Sequence, residues 1–292
     1  TRSKTEERSR VFSTWGNRIL SVFGANVAGV KVSYDSASSL PAVSACIKAI
    51  AETIATMPIE IMEVKDGVGK QMPSHTLFSL LNSEPNEEMS IFDFLLVLQT
   101  HIGFHGQAFA YIERDNMNKP IGLWPLMPTQ TEILRTDNGM LFYRTYTNEG
   151  SLDILPLDIL HIKGTTVNGI NGISPIQQHR RSLGLTLAAD ELGTQFFERG
   201  NVTRGVIEMK KSLKDDALDR LKKNWAESYS GVGNAFGTPI LEEGMEFKPI
   251  SLAPNDAQFL ETRKYQVEEI CRIYRVPPHM VGHLEKATFS NI

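Results

Sequence analysis

Five residues, Gly172-Ile173-Ser174-Pro175-Ile176, constrain this chain more than any others, because they open a helix of unusual length. Ser174 is placed to cap the helix by accepting a bond from a first-turn N–H. Pro175 falls at the first helical position, where its missing N–H costs nothing, and Gln177 completes the pattern of a capping box. No further proline occurs until Pro239, and Gly184 and Gly193 weaken the run without ending it. Arg199-Gly200 supplies the stop. A helix of roughly 25 residues is about 37 Å long at 1.5 Å per residue, about twice the usual globular helix. Such a rod either crosses a large domain or stands out of one to pack against other copies.

A second rod is expected near the other end. Asn255 with Gln258 caps a helix whose apolar face is Phe259, Val267, Ile270, Cys271 and Tyr274, and Val276-Pro277-Pro278 stops it. Between the rods lies a compact module. It has a strand at Arg204–Lys210, a capping box at Ser212–Asp215, a helix striped by Leu213, Ala217, Leu221 and Trp225, a Gly-rich loop 231–237 and a strand around Ile240.

The first half reads as a mixed body. Pro41 begins a helix with Val43, Ile47, Ile50 and Ile54 on one face. Pro58–Val64 is a strand turning at Asp66-Gly67, and Ser90 with Asp93 is a capping box for a helix through Leu95, Leu98 and Ile102. Strands follow at Ala108–Glu113, Thr131–Arg135, Met140–Tyr146 and Asp158–Lys163, separated by Asp-, Asn- and Gly-rich turns. The fold class is therefore α+β. At the far end, Thr288–Ile292 reads as the start of a further helix, so the natural polypeptide is expected to continue or to have been cut here.

Residue patterns that carry chemistry are few in this sequence. His101 and His105 have the i, i+4 spacing of helical metal ligands, but Ile102 stands where a zinc protease needs Glu, so they read as packing residues. His161, between Leu160 and Ile162, reads as a structural histidine. The loop Gly231–Gly237 follows a helix, whereas a phosphate-cradling loop follows a strand. Phosphate-loop and nucleophile-elbow motifs are missing, and no cofactor, metal or catalytic set is expected. Cys46 and Cys271 fall among apolar residues and read as reduced core thiols, with a disulfide as the alternative. Residues 1–31, rich in Arg and Lys, are either a solvated arm or a docking arm for an acidic partner. A net charge of −4 announces no nucleic-acid affinity, and no apolar run reaches the roughly 18 residues of a membrane span.

Taken in order, the segments Val43–Pro58, Leu80-Leu81 with Pro85-Asn86, Gly106–Tyr111 (GQAFAY), Leu126-Met127-Pro128, Asp158–His161, Gly172–Ile176, Phe196–Gly200, Glu269–Arg272, Val276-Pro277-Pro278 and Thr288–Ile292 resemble the portal proteins of tailed bacteriophages, the HK97-like portal family. The resemblance implies a non-enzymatic homododecamer at one capsid vertex of the virion, assembled in the host bacterial cytoplasm, whose channel passes double-stranded DNA during packaging and ejection. It implies as partners further copies of the chain, the large terminase subunit, a head–tail adaptor and the major capsid or scaffold protein, and no membrane.

By the same resemblance, 1–38 is an N-terminal arm, 39–173 the wing, 174–200 the first stem helix, 201–254 the clip, 255–276 the second stem helix and 277–292 the tunnel-loop region, with the crown helix that follows in the family missing. Glu285, Lys286, Thr288 and Phe289 become the DNA-facing candidates. Arg204, Lys210, Lys211, Lys214, Lys222 and Lys223 become candidates for partner docking on the clip. Leu187 is expected on the stem face that meets a neighbour. The competing readings are an enzyme with a dispersed site and a stand-alone duplex-binding module.

Overall fold

The computed structural model describes residues 29–198, 205–208, 218–220, 223, 245–249 and 256–284. Helix α1 (Tyr34–Ser38) leads into α2 (Pro41–Ala55). A hairpin, β1 (Met62–Lys65) and β2 (Val68–Gln71), is followed by α3 (Thr76–Asn82) and α4 (Ile91–His105). Six strands come next: β3 (Gln107–Arg114), β4 (Pro120–Leu126), β5 (Thr131–Arg135), β6 (Leu141–Thr147), β7 (Gly150–Ile154) and β8 (Ile159–Lys163). Then come α5 (Pro175–Gln178), α6 (Arg180–Glu198), the paired strands β9 (Gly205–Glu208) and β10 (Glu246–Pro249), and α7 (Asp256–Tyr274). The class is α+β, with small antiparallel sheets.

Strand β3 organises the body. It sits between β4 and β8 in an antiparallel sheet, and the alternation of side chains along it serves two cores. Ala108 and Ala110 face α4, and Phe94 and Leu98 of that helix with Leu123 of β4 join them in one buried cluster. Phe109 points the other way and packs with Tyr143, Ile154 and Ile159, so the second sheet, β5-β6-β7, is glued on by that cluster. Small residues toward the helix let it approach; the aromatic toward the sheet fills the gap.

Helix α4 begins at the reciprocal Ser90–Asp93 capping box and ends at Gly106, whose φ of 75° is the left-handed C-cap conformation. Its partner α2 buries Val43, Cys46, Ile47, Ala51 and Ala55. The expected face through Ile54 is displaced by one step: Ile54 is exposed and Ala55 takes its place. Gly103 of α4 lies against Ile47, where a Cβ would come within 2.8 Å of Ile47 Cγ2. This close approach is why the helix tolerates a glycine there.

The expected unbroken rod from Ser174 is divided. Ser174 does cap, accepting from the Gln177 N–H at 3.3 Å, but α5 is a single turn and His179 interrupts it with φ −107° and ψ 20°. The Leu183 N–H then bonds the His179 carbonyl, and the helix continues for 19 residues as α6. Gln177 does not return the bond that a capping box requires; Ser174 instead donates its proton to Phe104 O at 2.6 Å.

The chain divides into two compact units. One takes in Lys31–Leu183 and the described residues from Val267 on; the other takes in Gly184–Gln266. Both long helices run from one unit into the other. Among the described residues, no helix is long and apolar enough to cross a membrane.

Candidate functional site

Two features stand out once the elements are placed: a backbone junction in the first unit and an uncovered apolar stripe on α6 in the second. The junction brings Gly106-Gln107 against Gly172-Ile173-Ser174. The Gly164 N–H donates to Gly106 O at 2.9 Å, the Gly172 N–H to Gln107 Oε1 at 2.9 Å, and the Ile173 N–H to Thr165 O at 2.8 Å. A Cβ on Gly106 would collide with Ile173 O, and one on Gly172 with Gly106 O. Two glycines therefore face each other because backbone meets backbone with no room between. With the Ser174–Phe104 bond, the junction clamps the start of α5, the single turn before α6, to the end of α4.

On α6, Leu183, Thr186 and Gly193 are buried, while Leu185 and Leu192 are 53% and 55% exposed. These two leucines lie seven residues apart, two helical turns, and so share a face. Leu187, expected on the stem face that meets a neighbour, is partly covered within its own chain. The sequence reading missed Leu185 and Leu192; their seven-residue spacing was the signal available, but sequence alone does not say which of three leucines is left over. Within the same unit Arg263 of α7 is 2.8 Å from Asp190 of α6, so the two rods touch through an ion pair.

The histidines and cysteines singled out from the sequence pack against neighbours rather than converge on a common site. His105 stacks on Tyr34 with ring centroids 5.1 Å apart, and His101 meets His105 edge-on. Burial lowers the His101 imidazole to about 4, with His105 adding to the shift, and lowers His105 as well. His161 lies 4.5 Å from the Phe109 ring and shares a hydrogen bond of 3.1 Å between its Nδ1 and Tyr143 Oη, while its Nε2 is buried without a partner. Burial, with Lys163 nearby, lowers it to about 4, so it is neutral at pH 7. Cys46 and Cys271 are both buried and free, with sulfurs 3.9 Å apart. Among the described residues no group of three or more His, Cys, Asp or Glu is arranged to hold a metal ion.

A family model described as phage portal protein matches residues 41–292. The chain belongs to the phage portal family. The probable portal protein of Streptomyces phage phiC31 is 31% identical over 290 residues, which cover 96% of this chain and 63% of that protein. The portal protein of Enterobacteria phage HK97 is 28% identical over 246 residues, covering 83% and 58%. The chain thus spans about three-fifths of the length of these two curated relatives. Among solved structures, an HK97-family phage portal protein from Corynebacterium diphtheriae matches with a TM-score of 0.62 at 16% identity, covering 90% of this chain and 82% of that one. The neck of an empty gene transfer agent particle gives a TM-score of 0.63 at 24% identity, covering 92% and 75%. These two likenesses show that the fold is shared.

In portal terms the junction joins two of the signatures that carry the family resemblance, GQAFAY and GISPI, across 65 residues of sequence. The residues proposed to face DNA, Glu285, Lys286, Thr288 and Phe289, lie outside the described residues, as do Arg204, Lys210, Lys211, Lys214 and Lys222 of the clip set, the Ser212–Asp215 capping box, Asn255 and the strand around Ile240. Lys223 is described; it is helical, exposed and has an interaction partner.

Proposed function

We propose that this chain is one subunit of a portal: a homododecameric ring at a single vertex of a bacteriophage capsid, through which double-stranded DNA enters during packaging and leaves during ejection. The match of residues 41–292 to the portal family carries the reading. The Leu185–Leu192 stripe supports it, because two exposed leucines on one helix face suit burial against a neighbouring copy. A neck whose fold resembles this chain was computed with C12 symmetry, which supports a ring of about twelve.

In that ring residues 39–173 serve as wing, 174–200 and 255–276 as the stem helices, 201–254 as clip and 277–292 as the tunnel-loop region. Glu285, Lys286, Thr288 and Phe289 then face the channel, and the clip lysines with Arg204 meet the large terminase subunit and later the head–tail adaptor. The capsid or scaffold protein holds the rim. Subunits assemble in the host cytoplasm and stay in the virion. The work is done by geometry: the protein supplies a hole and docking faces, and the motor supplies the chemistry.

Light scattering combined with negative-stain microscopy tests this. The expected result is a ring with a central hole wide enough for a duplex. A chain that stays monomeric at high concentration, both alone and extended to the length of its curated relatives, overturns it.

A further inference from the structure

The pair Cys46–Cys271 is unused by the portal reading. Cys46 lies mid-way along α2, Cys271 in the last turn of α7, 225 residues later, and both thiols are buried with sulfurs in contact at 3.9 Å. Their surroundings hold them in place. The Val276 N–H bonds the Cys271 carbonyl at 3.0 Å and closes the end of α7, and the Tyr274 hydroxyl donates to Gly103 O of α4 at 3.3 Å, three residues beyond the cysteine.

We propose that Cys46 and Cys271 form a modification site: a dithiol that a small peroxide converts to an intramolecular disulfide, tying the body to the end of the second long helix. The sulfurs must close from 3.9 Å to the bonded distance of about 2.05 Å. Rotation about the two Cα–Cβ bonds and a slight approach of the helices supply that closure.

The reaction balances without any other component. One thiolate attacks hydrogen peroxide, the O–O bond breaks, and a sulfenic acid and hydroxide result. The neighbouring thiolate attacks that sulfur, the S–S bond forms and a second hydroxide leaves. The two thiol protons convert both hydroxides to water. Two sulfurs are oxidised and one peroxide is reduced. Contact with the second thiol makes this closing step intramolecular, so it outruns a second peroxide and the disulfide forms ahead of sulfinic acid.

With Cys46 0% and Cys271 1% exposed, a glutathione-sized oxidant is excluded, which is why the oxidant proposed is a small peroxide. The site is slow by construction. Burial, with Cys271 alongside, pushes the Cys46 thiol up to about 12, and burial raises Cys271 too, so little thiolate is present at pH 7. A slow lock suits a protein made among reducing cytoplasmic thiols and later carried out of the cell. That timing rests on the proposed portal function; the chemistry does not.

The test is to expose the folded chain to millimolar hydrogen peroxide, quench, alkylate and map peptides without reduction. The expected result is a peptide linking Cys46 to Cys271, two hydrogens lighter than the dithiol and reversed by dithiothreitol. The midpoint of thermal unfolding should rise by about 5–10 °C on oxidation. C46A and C271A, first shown to unfold cooperatively, should show neither change. Recovery of both thiols unmodified after prolonged exposure, sulfinic acid on either without a link, or only intermolecular links overturns the proposal. Because the map reads bonds within one chain, it gives its answer whether or not the chain forms rings.

Discussion

At Gly172 no left-handed backbone is involved; the glycine is there because Gly106 O occupies the space a methyl group would need. At Gly169 the situation is reversed, with φ at 74° and nothing within 4 Å of where a Cβ would stand. The two positions therefore separate steric cost from backbone cost. Gly169→Ala should destabilise by about 1–2 kcal/mol, the left-handed penalty. Gly172→Ala should cost about 3 kcal/mol or more, because the obstacle is backbone and cannot rotate away. Urea unfolding of the two variants checks the order. A Gly172→Ala midpoint at or above that of Gly169→Ala contradicts the junction. Ser174→Ala should lose about 1–2 kcal/mol, combining the cap with the bond to Phe104 O.

The histidines make a second residue-level expectation. His101 and His161 are each lowered from 6.5 to about 4 by burial. Above pH 6.5 they are neutral folded or unfolded and leave stability unaffected. Between pH 6.5 and 4 the unfolded chain takes up protons that the folded chain refuses, so stability falls as pH falls, and below about 4 the loss is complete. His161→Phe, which keeps a ring against Phe109, should make that decline shallower. Unfolding curves from pH 7.5 to 4.5 measure it; an unchanged slope removes His161 from the account.

Among the elements, those with local chemistry were legible in the sequence. The Ser90–Asp93 box, the cap at Ser174 and the strand Thr131–Arg135 appear where the residues put them. Strand β4 was not legible, because Pro120 and Pro125 argue against a strand; it forms as an edge strand, where a missing N–H is tolerated. Helix α3 escaped because its cap is His75, whose Nδ1 accepts from the Leu77 N–H, outside the usual Ser, Thr, Asp and Asn set. The break at His179 carries neither proline nor glycine, and the Gly106–Gly172 contact is non-local, so neither is written in any window of sequence. The leftover leucines on α6 give a prediction that only an element can carry. Leu185→Asp with Leu192→Asp should leave the melting of the monomer within about 0.5 kcal/mol, as exposed substitutions do, while abolishing assembly by light scattering. Leu183→Asp, at a fully buried position, should instead unfold the chain.

For the molecule as a whole, a conduit and a DNA-binding module predict opposite responses to salt. Each phosphate contact that tightens binding also resists sliding, and each releases counterions, so tight binding would weaken steeply as salt rises. This chain, with a net charge of −4, has no excess of cations to drive such binding, and the proposed ring of copies multiplies the negative balance. Assembled rings should therefore hold linear duplex no more tightly than ordinary non-specific proteins do, with dissociation constants of about 10⁻⁶ M or weaker near physiological salt. Fluorescence anisotropy with a short labelled duplex, titrated from low to physiological salt, reads this directly. Sub-micromolar affinity with a steep negative salt slope would mean that cations of the chain grip the phosphates, and the duplex-binding module would then replace the passive channel as the better account.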